Sequence, residues 1–142
     1  LAARGDLDMS LEALQILIDK LVISLHEKRV QEDDLIVLRD YVRTDRQTYK
    51  LGQLRNSDLF VGLIRHLDFN EPLPILEKVA WILVNLSYHF DEFGEVFVSE
   101  HGPSRAVDIL VNIYDETTID CVLKLLGNTA CCTSREVPLK IA

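Results

Sequence analysis

A tryptophan and an asparagine stand four positions apart in a nearly apolar stretch of the chain, as Trp81 and Asn85. Residues at positions i and i+4 lie on the same face of a helix, one turn apart. The carboxamide of Asn85 can bind the N–H and the C=O of an extended backbone without reading its sequence. The indole beside it offers an apolar wall for a lysine stem and a cation–π contact for the ammonium group. The pair therefore predicts contact with an extended peptide.

A second copy of this pattern follows further along the chain. Residues 77–87 align with residues 120–130 at an offset of 43 positions, which places Asn128 on Asn85. Packed helices lie about 8–10 Å apart and an extended chain advances about 3.3 Å per residue. The two asparagines would thus contact backbone groups about three residues apart, and the acidic residue near the start of each copy favours a cationic side chain. The candidate peptide-binding residues are Glu77, Trp81, Asn85, Asp120, Lys124 and Asn128.

The motifs that usually carry catalysis or metal binding are missing from the sequence. It contains no GxSxG, no GxxxxGK[ST], no GxGxxG and no HExxH. The histidines stand far apart, and adjacent carboxylates such as Asp33 and Asp34 stand at predicted helix starts, where they compensate the helix dipole. We therefore predict no catalytic residue, no metal site and no cofactor, and a chain that is not an enzyme.

Apolar residues recur at spacings of three and four along most of the chain, which is typical of helices. The first series runs from Leu11 to Leu25 after Ser10, a residue type favoured as an N-cap. Polar or Pro-containing turns at 70–74 and 115–118 separate later series. Period-two alternation and two-residue hairpin turns are absent from the sequence. An all-α fold is predicted.

The 43-residue offset also divides the chain into repeating units. Each unit is predicted to contain a short helix, a medium helix and a long buried helix. A helical repeat of about 40 to 47 residues is typical of HEAT and armadillo solenoids. Residues 33–43 fit as a degenerate copy, with Leu38 and Val42 at the Trp and Asn positions. We predict a right-handed α-solenoid of about three armadillo-like or HEAT-like repeats. The single domain spans 1–142, as a fragment of a longer solenoid, and its units are 10–44, 45–88 and 89–131.

The stretch from Trp81 to Leu86 resembles the Trp-x-x-x-Asn segment of importin-alpha-type nuclear import adaptors, which are armadillo-repeat proteins. Residues 127–130, Gly-Asn-Thr-Ala, are similar to the Gly-Asn-Ile-Ala form of that segment. The resemblance covers roughly residues 45–142 and implies a concave groove for a basic, nuclear-localisation-like peptide, in the cytoplasm or nucleus. Lys124 stands where the family has a further tryptophan, so the pattern departs from the family there.

The composition narrows the class of partner. The 142 residues carry 23 Asp and Glu against 15 Lys and Arg, a net charge of −8, so the chain lacks the basic surface that nucleic acid requires. No apolar run approaches the roughly 18 residues that a membrane span needs. The three cysteines, Cys121, Cys131 and Cys132, have no disulfide or metal-ligand spacing and are expected to be reduced thiols. The alternative is a redox switch or metal site at the adjacent Cys131 and Cys132, and the sequence leaves their redox role open. We expect a protein or peptide partner, with no nucleic acid and no membrane.

The terminal helices support an alternative interpretation. A terminal repeat of a solenoid needs a polar outer surface or a neighbour. The chain stops at Ile141-Ala142 where another unit is expected to begin, which leaves an uncapped end. The alternative function is an armadillo scaffold outside nuclear transport. It would bind a partner helix, or self-associate as a homo-oligomer, through its terminal helices or flank.

Overall fold

Every regular element in the described part of the chain is a helix. The computed structural model describes residues 9–43, 46 and 48–133, and these ranges hold seven α-helices, a 3-10 helix and no strand. The all-α prediction is confirmed. No helix within these ranges is both long and apolar enough to cross a membrane. The α-helices are α1 (Leu11–His26), α2 (Glu32–Tyr41), α3 (Ser57–Arg65), α4 (Leu73–His89), α5 (Phe93–Ser99), α6 (Gly102–Asn112) and α7 (Glu116–Thr133), and the 3-10 helix is Thr48–Leu54.

Polar caps determine where helices begin. The Ser10 hydroxyl accepts a hydrogen bond from the Ala13 amide at 3.1 Å, which confirms Ser10 as the N-cap of α1. Asp115 serves α7 in the same way, because its Oδ2 accepts the Thr118 amide at 3.0 Å. Helix α7 therefore begins at Glu116, ahead of its apolar run, since a cap and not the first apolar residue sets the start.

Helices α2 and α4 lie side by side and run in the same direction. At the start of both helices, Glu32 of α2 forms an ion pair with Lys78 of α4 at 2.9 Å. Beyond the end of α2, the Arg43 carbonyl lies 2.9 Å from Nε2 of His89, the last residue of α4. Contacts that join start to start and end to end require parallel helices.

Helix α7 packs against α4 in the same parallel sense. Thr117, near the start of α7, lines one cleft together with Glu77, in the first half of α4. Further along, Nδ2 of Asn128 donates to Ser87 Oγ at 3.0 Å. Helix α4 begins at residue 73 and α7 at residue 116, so their starts are 43 positions apart. Helices α2, α4 and α7 thus form one row of parallel helices.

Helices α1 and α3 form a second row, and α6 begins near the end of α3. Gln53, just before α3, donates from Nε2 to the carbonyl of Leu11 at the start of α1, at 3.2 Å. His66, just after α3, lies with Nε2 2.8 Å from the carbonyl of Leu25 near the end of α1. These two contacts make α1 and α3 parallel. Arg105 of α6 in turn donates to the carbonyl of the last residue of α3.

A continuous hydrophobic core joins the two rows. Its aromatic part includes Phe60 of α3 and Phe93 of α5, which pack edge to face with ring centroids 5.2 Å apart. Phe97 is fully buried beside Gly102, the first residue of α6. A Cβ at position 102 would overlap the Phe97 ring, so glycine lets α6 begin directly against α5.

Candidate peptide-binding groove on α4

The indole of Trp81 lies at the surface of the molecule. Trp81 is 41% exposed, although its helix α4 buries much of its length between α2 and α7. Tyr88, two turns further along α4, is 60% exposed. Asn85, one turn after Trp81, is only 6% exposed. The two side chains of the predicted pair therefore differ in access, with the indole open to a ligand and the carboxamide largely enclosed.

A cleft of about 420 Å³ opens beside Trp81, where α2, α4 and the start of α7 meet. Among the six predicted residues, Glu77 and Trp81 line this cleft. Helix α2 supplies further lining residues that the sequence analysis did not select, because its Trp and Asn equivalents were the apolar Leu38 and Val42. The remaining lining residues are Arg39, Asp40, Arg43, Lys78 and Thr117.

Ion pairs neutralise much of the charge in the cleft. Nearly buried Lys78 pairs with Glu32, and Nη2 of Arg39 lies 3.1 Å from Oδ1 of Asp40. Glu77 forms neither an ion pair nor a hydrogen bond with the described residues, and it is half-buried. The Glu77 carboxylate is therefore available to a cationic ligand beside the indole.

The Asn85 carboxamide forms one hydrogen bond within its own helix. Its Nδ2 donates to the carbonyl of Trp81, the residue one turn earlier, at 2.9 Å. Its Oδ1 accepts no hydrogen bond from the described residues. The acceptor of Asn85 and the second N–H of its Nδ2 thus make no hydrogen bond with the described residues, whereas the first N–H is used in the bond to Trp81.

Asn128 bridges two helices in this structure. Its Nδ2 donates to Ser87 Oγ at 3.0 Å and to the Val84 carbonyl at 3.3 Å, so the amide joins α7 to α4. The sequence alignment gave Asn128 and Asn85 equivalent positions. The structure places their amide groups in different surroundings. The Asn128 amide lies against the neighbouring helix α4, whereas the Asn85 amide bonds to a carbonyl of its own helix.

Asp120 and Lys124 form an ion pair along the surface of α7. Lys124 Nζ lies 3.0 Å from Asp120 Oδ2, and both side chains are exposed. The hydrogen bond and the charge of Asp120 raise the pKa of Lys124. Asp120 therefore differs from its equivalent Glu77, since its charge is already matched by a lysine on the same helix.

Other chemistry-bearing side chains have structural surroundings. Cys121 is buried, and its burial, followed by the charge of Asp120, raises the pKa of the thiol to about 11. A thiol held protonated is a weak nucleophile and a weak metal ligand. Within the described ranges, no three His, Cys, Asp or Glu side chains are grouped to hold a metal ion. The side chains of Cys131 and Cys132, whose redox role the sequence left open, lie outside the described residues.

Comparison of the chain with protein-family models, with curated proteins and with solved structures finds no match in any of the three.

Proposed function

We propose that this chain is a non-enzymatic protein-interaction module that binds an extended peptide across α4, and that its helices form an armadillo-like α-solenoid. Two sets of parallel helices support the solenoid: α1 and α3 in one set, and α2, α4 and α7 in the other. The 43-residue spacing of α4 and α7 supports units 45–88 and 89–131, and α1 with α2 supplies unit 10–44. Stacked units of this kind present long grooves to extended ligands.

The observation that carries the peptide proposal is the exposed Trp81 indole next to the unpaired Glu77 carboxylate. A lysine or arginine of the ligand lies with its apolar stem along the indole and its charged head near the carboxylate. A cation–π contact at an exposed site contributes about 0.5–1 kcal/mol, and the stem adds apolar burial. The cleft thus favours one basic side chain.

The rest of the ligand follows α4 towards its C-terminal end. The Asn85 Oδ1 accepts a backbone N–H, and exposed Tyr88 offers a second aromatic surface two turns beyond Trp81. At the position of α7 equivalent to Glu77, Asp120 is already paired with Lys124, so it does not repeat the unpaired carboxylate of Glu77. We therefore expect a single strong basic site, in contrast to the several consecutive sites of importin-alpha-type adaptors. The resemblance of this chain to those adaptors implies that it acts in the cytoplasm or nucleus.

The single tryptophan makes the proposal directly measurable. Because Trp81 is the chain's one Trp residue, its fluorescence reports ligand binding at the cleft without a label. A synthetic peptide with a lysine-rich centre flanked by serines should shift or quench this emission in a saturable way. The matched peptide with glutamates in place of the lysines should leave the emission unchanged, because Glu77 repels it.

Substitutions then locate the binding site by anisotropy of the labelled lysine peptide. Trp81→Ala should weaken binding about tenfold, and Glu77→Gln should weaken it several-fold, since each removes one contact of the basic side chain. Tyr114→Ala is the matched control for a general loss of aromatic surface, because Tyr114 is 87% exposed and does not line the cleft, and it should leave the affinity unchanged. Equal affinity of wild type and a folded Trp81→Ala protein would refute the proposal, as would the absence of saturable binding by wild type.

A further inference from the structure

The outer sides of α6 and α7 expose apolar side chains whose counterparts 43 positions earlier are buried. Val107 of α6 is 52% exposed, whereas its counterpart Ile64 in α3 is fully buried. Leu123 of α7 is 54% exposed, whereas its counterpart Ala80 in α4 is fully buried. An apolar residue that is buried in one unit and exposed at the equivalent position of the next indicates a surface that can bind another molecule.

A second pair of positions repeats this difference. Leu110 of α6 and Leu126 of α7 are half-buried, while their counterparts Leu67 and Leu83 are fully buried. The cover in the earlier unit consists of helices, because α5 packs on α3 and α7 packs on α4. The α6/α7 face is defined here by Val107, Leu110, Leu123 and Leu126. Because helices cover the counterpart residues in the earlier unit, a helix is the element expected to cover this face.

The charges around this face are predominantly acidic. Exposed Asp108 of α6 and Glu116 of α7 form no side-chain ion pair or hydrogen bond with the described residues. The nearby cations are already engaged, since the Arg105 guanidinium donates to main-chain carbonyls and Lys124 pairs with Asp120. An incoming helix therefore meets unpaired negative charge beside an apolar strip.

We infer that the α6/α7 face docks a basic amphipathic helix of a partner protein. Apolar residues of that helix at positions i, i+3, i+4 and i+7 pack on the face, and its lysines or arginines lie towards Asp108 and Glu116. A second copy of this chain is a poorer occupant, because each copy carries a net charge of −8. The surface is separate from the cleft at Trp81, and the inference does not depend on the peptide proposal.

The test uses a synthetic helical peptide with leucines at i, i+3, i+4 and i+7 and lysines elsewhere, labelled for fluorescence anisotropy. The double variant Val107→Ser/Leu123→Ser should weaken its binding at least about tenfold, because it removes the two most exposed apolar contacts of the face. Ile16→Ser is the matched control, since Ile16 is 68% exposed on α1 at the other end of the molecule. The Ile16→Ser protein should bind as wild type does.

Two further arms test the stated chemistry. A peptide of the same composition with its leucines scrambled off one face should bind at least about tenfold more weakly, because it cannot present an apolar stripe. Asp108→Asn combined with Glu116→Gln should weaken binding several-fold and reduce its dependence on salt. Unchanged affinity of the Val107→Ser/Leu123→Ser protein, or no saturable binding by wild type, would overturn the inference. Sedimentation that shows wild-type dimers and monomeric Val107→Ser/Leu123→Ser would also overturn it, because the occupant would then be a second copy.

Discussion

Replacement of Asn128 by alanine should lower the stability of the protein, whereas the same replacement at Asn85 should leave it nearly unchanged. Nδ2 of Asn128 donates to Ser87 Oγ and to the Val84 carbonyl, so the side chain joins α7 to α4. Nδ2 of Asn85 donates to the Trp81 carbonyl of the same helix. That carbonyl is already an acceptor in the backbone ladder of α4, so the loss of the side-chain bond leaves no buried group unpaired.

The expected magnitudes follow from these contacts. A net hydrogen bond contributes about 1 kcal/mol, so the two bonds of Asn128 contribute about 2 kcal/mol. Alanine returns up to about 0.7 kcal/mol through its higher helix propensity, which leaves a loss of about 1–1.5 kcal/mol for Asn128→Ala. For Asn85→Ala the single lost bond and the gained propensity nearly cancel. A difference of about 1 kcal/mol corresponds to roughly 3–5 °C in Tm for a chain of this size.

Urea unfolding followed by far-UV circular dichroism measures both variants, with Trp81 fluorescence as an independent probe of the same transition. The dependence of the unfolding free energy on urea should be equal in the three proteins, which shows that only stability has changed. A double-mutant cycle with Ser87→Ala isolates the bridge and should give a coupling of about 0.5–1 kcal/mol. Equal stability of the Asn128→Ala and Asn85→Ala proteins, together with zero coupling to Ser87, would refute the role of Asn128 as a bridge between helices.

The remaining predictions concern two glycines and one thiol. Gly102→Ala should lower the unfolding free energy by about 2 kcal/mol, because the new methyl group overlaps the buried Phe97 ring, and thermal melting checks this. Gly127→Ala is its matched control and should raise stability by up to about 1 kcal/mol, because position 127 lies within α7 with open space around it; a loss of stability there would contradict the packing of α7. Cys121, in a variant whose other two cysteines are Ser, should resist thiol-reactive reagents near pH 8, because its raised pKa keeps the thiol protonated. Fast labelling of the native protein near pH 8 would contradict this, because it would show that Cys121 is accessible. The pKa of Cys121 in the folded protein, about 11, exceeds the ordinary value of 9.0, so the contribution of the buried thiol to stability is complete below pH 9.0 and is lost as the pH rises towards 11.

Local signals predicted the helices well. The apolar spacing indicated helices throughout, and Ser10 stands at the start of α1 as its residue type favours. The 43-residue self-match also anticipated that α4 and α7 would begin 43 positions apart. These features depend on short stretches of chain, in which capping and periodicity act directly on the backbone.

The position of α2 shows what spacing alone did not decide. A step back of 43 positions places Leu38 on Trp81, yet Leu38 is fully buried and Trp81 is 41% exposed. The apolar spacing of α2 indicates which residues face the core and carries no information about where the polar residues between them point. Hydrophobic periodicity therefore did not reveal that Arg39 and its neighbours reach the cleft beside Trp81.

The same limit explains the two asparagines. Their alignment gives Asn85 and Asn128 equal places in the pattern, yet a carboxamide bonds to whatever group lies nearest. For Asn128 that group is Ser87 of the adjacent helix, and for Asn85 it is a carbonyl one turn back. The choice depends on the distance between packed helices, which residue types do not encode by themselves.

Helix α7 contributes to both proposed surfaces, and this determines how they are told apart. Thr117 lines the cleft beside Trp81, while Leu123 belongs to the α6/α7 face. Each surface also offers an unpaired carboxylate, Glu77 in the cleft and Glu116 at the face, so added salt weakens binding at either one and does not distinguish them. Substitutions that change shape without changing charge do distinguish them, because the Trp81 and Leu123 side chains project from different helices. A partner that loses affinity with both Trp81→Ala and Leu123→Ser must contact both surfaces at once, and its two segments would then reinforce each other through their effective concentration.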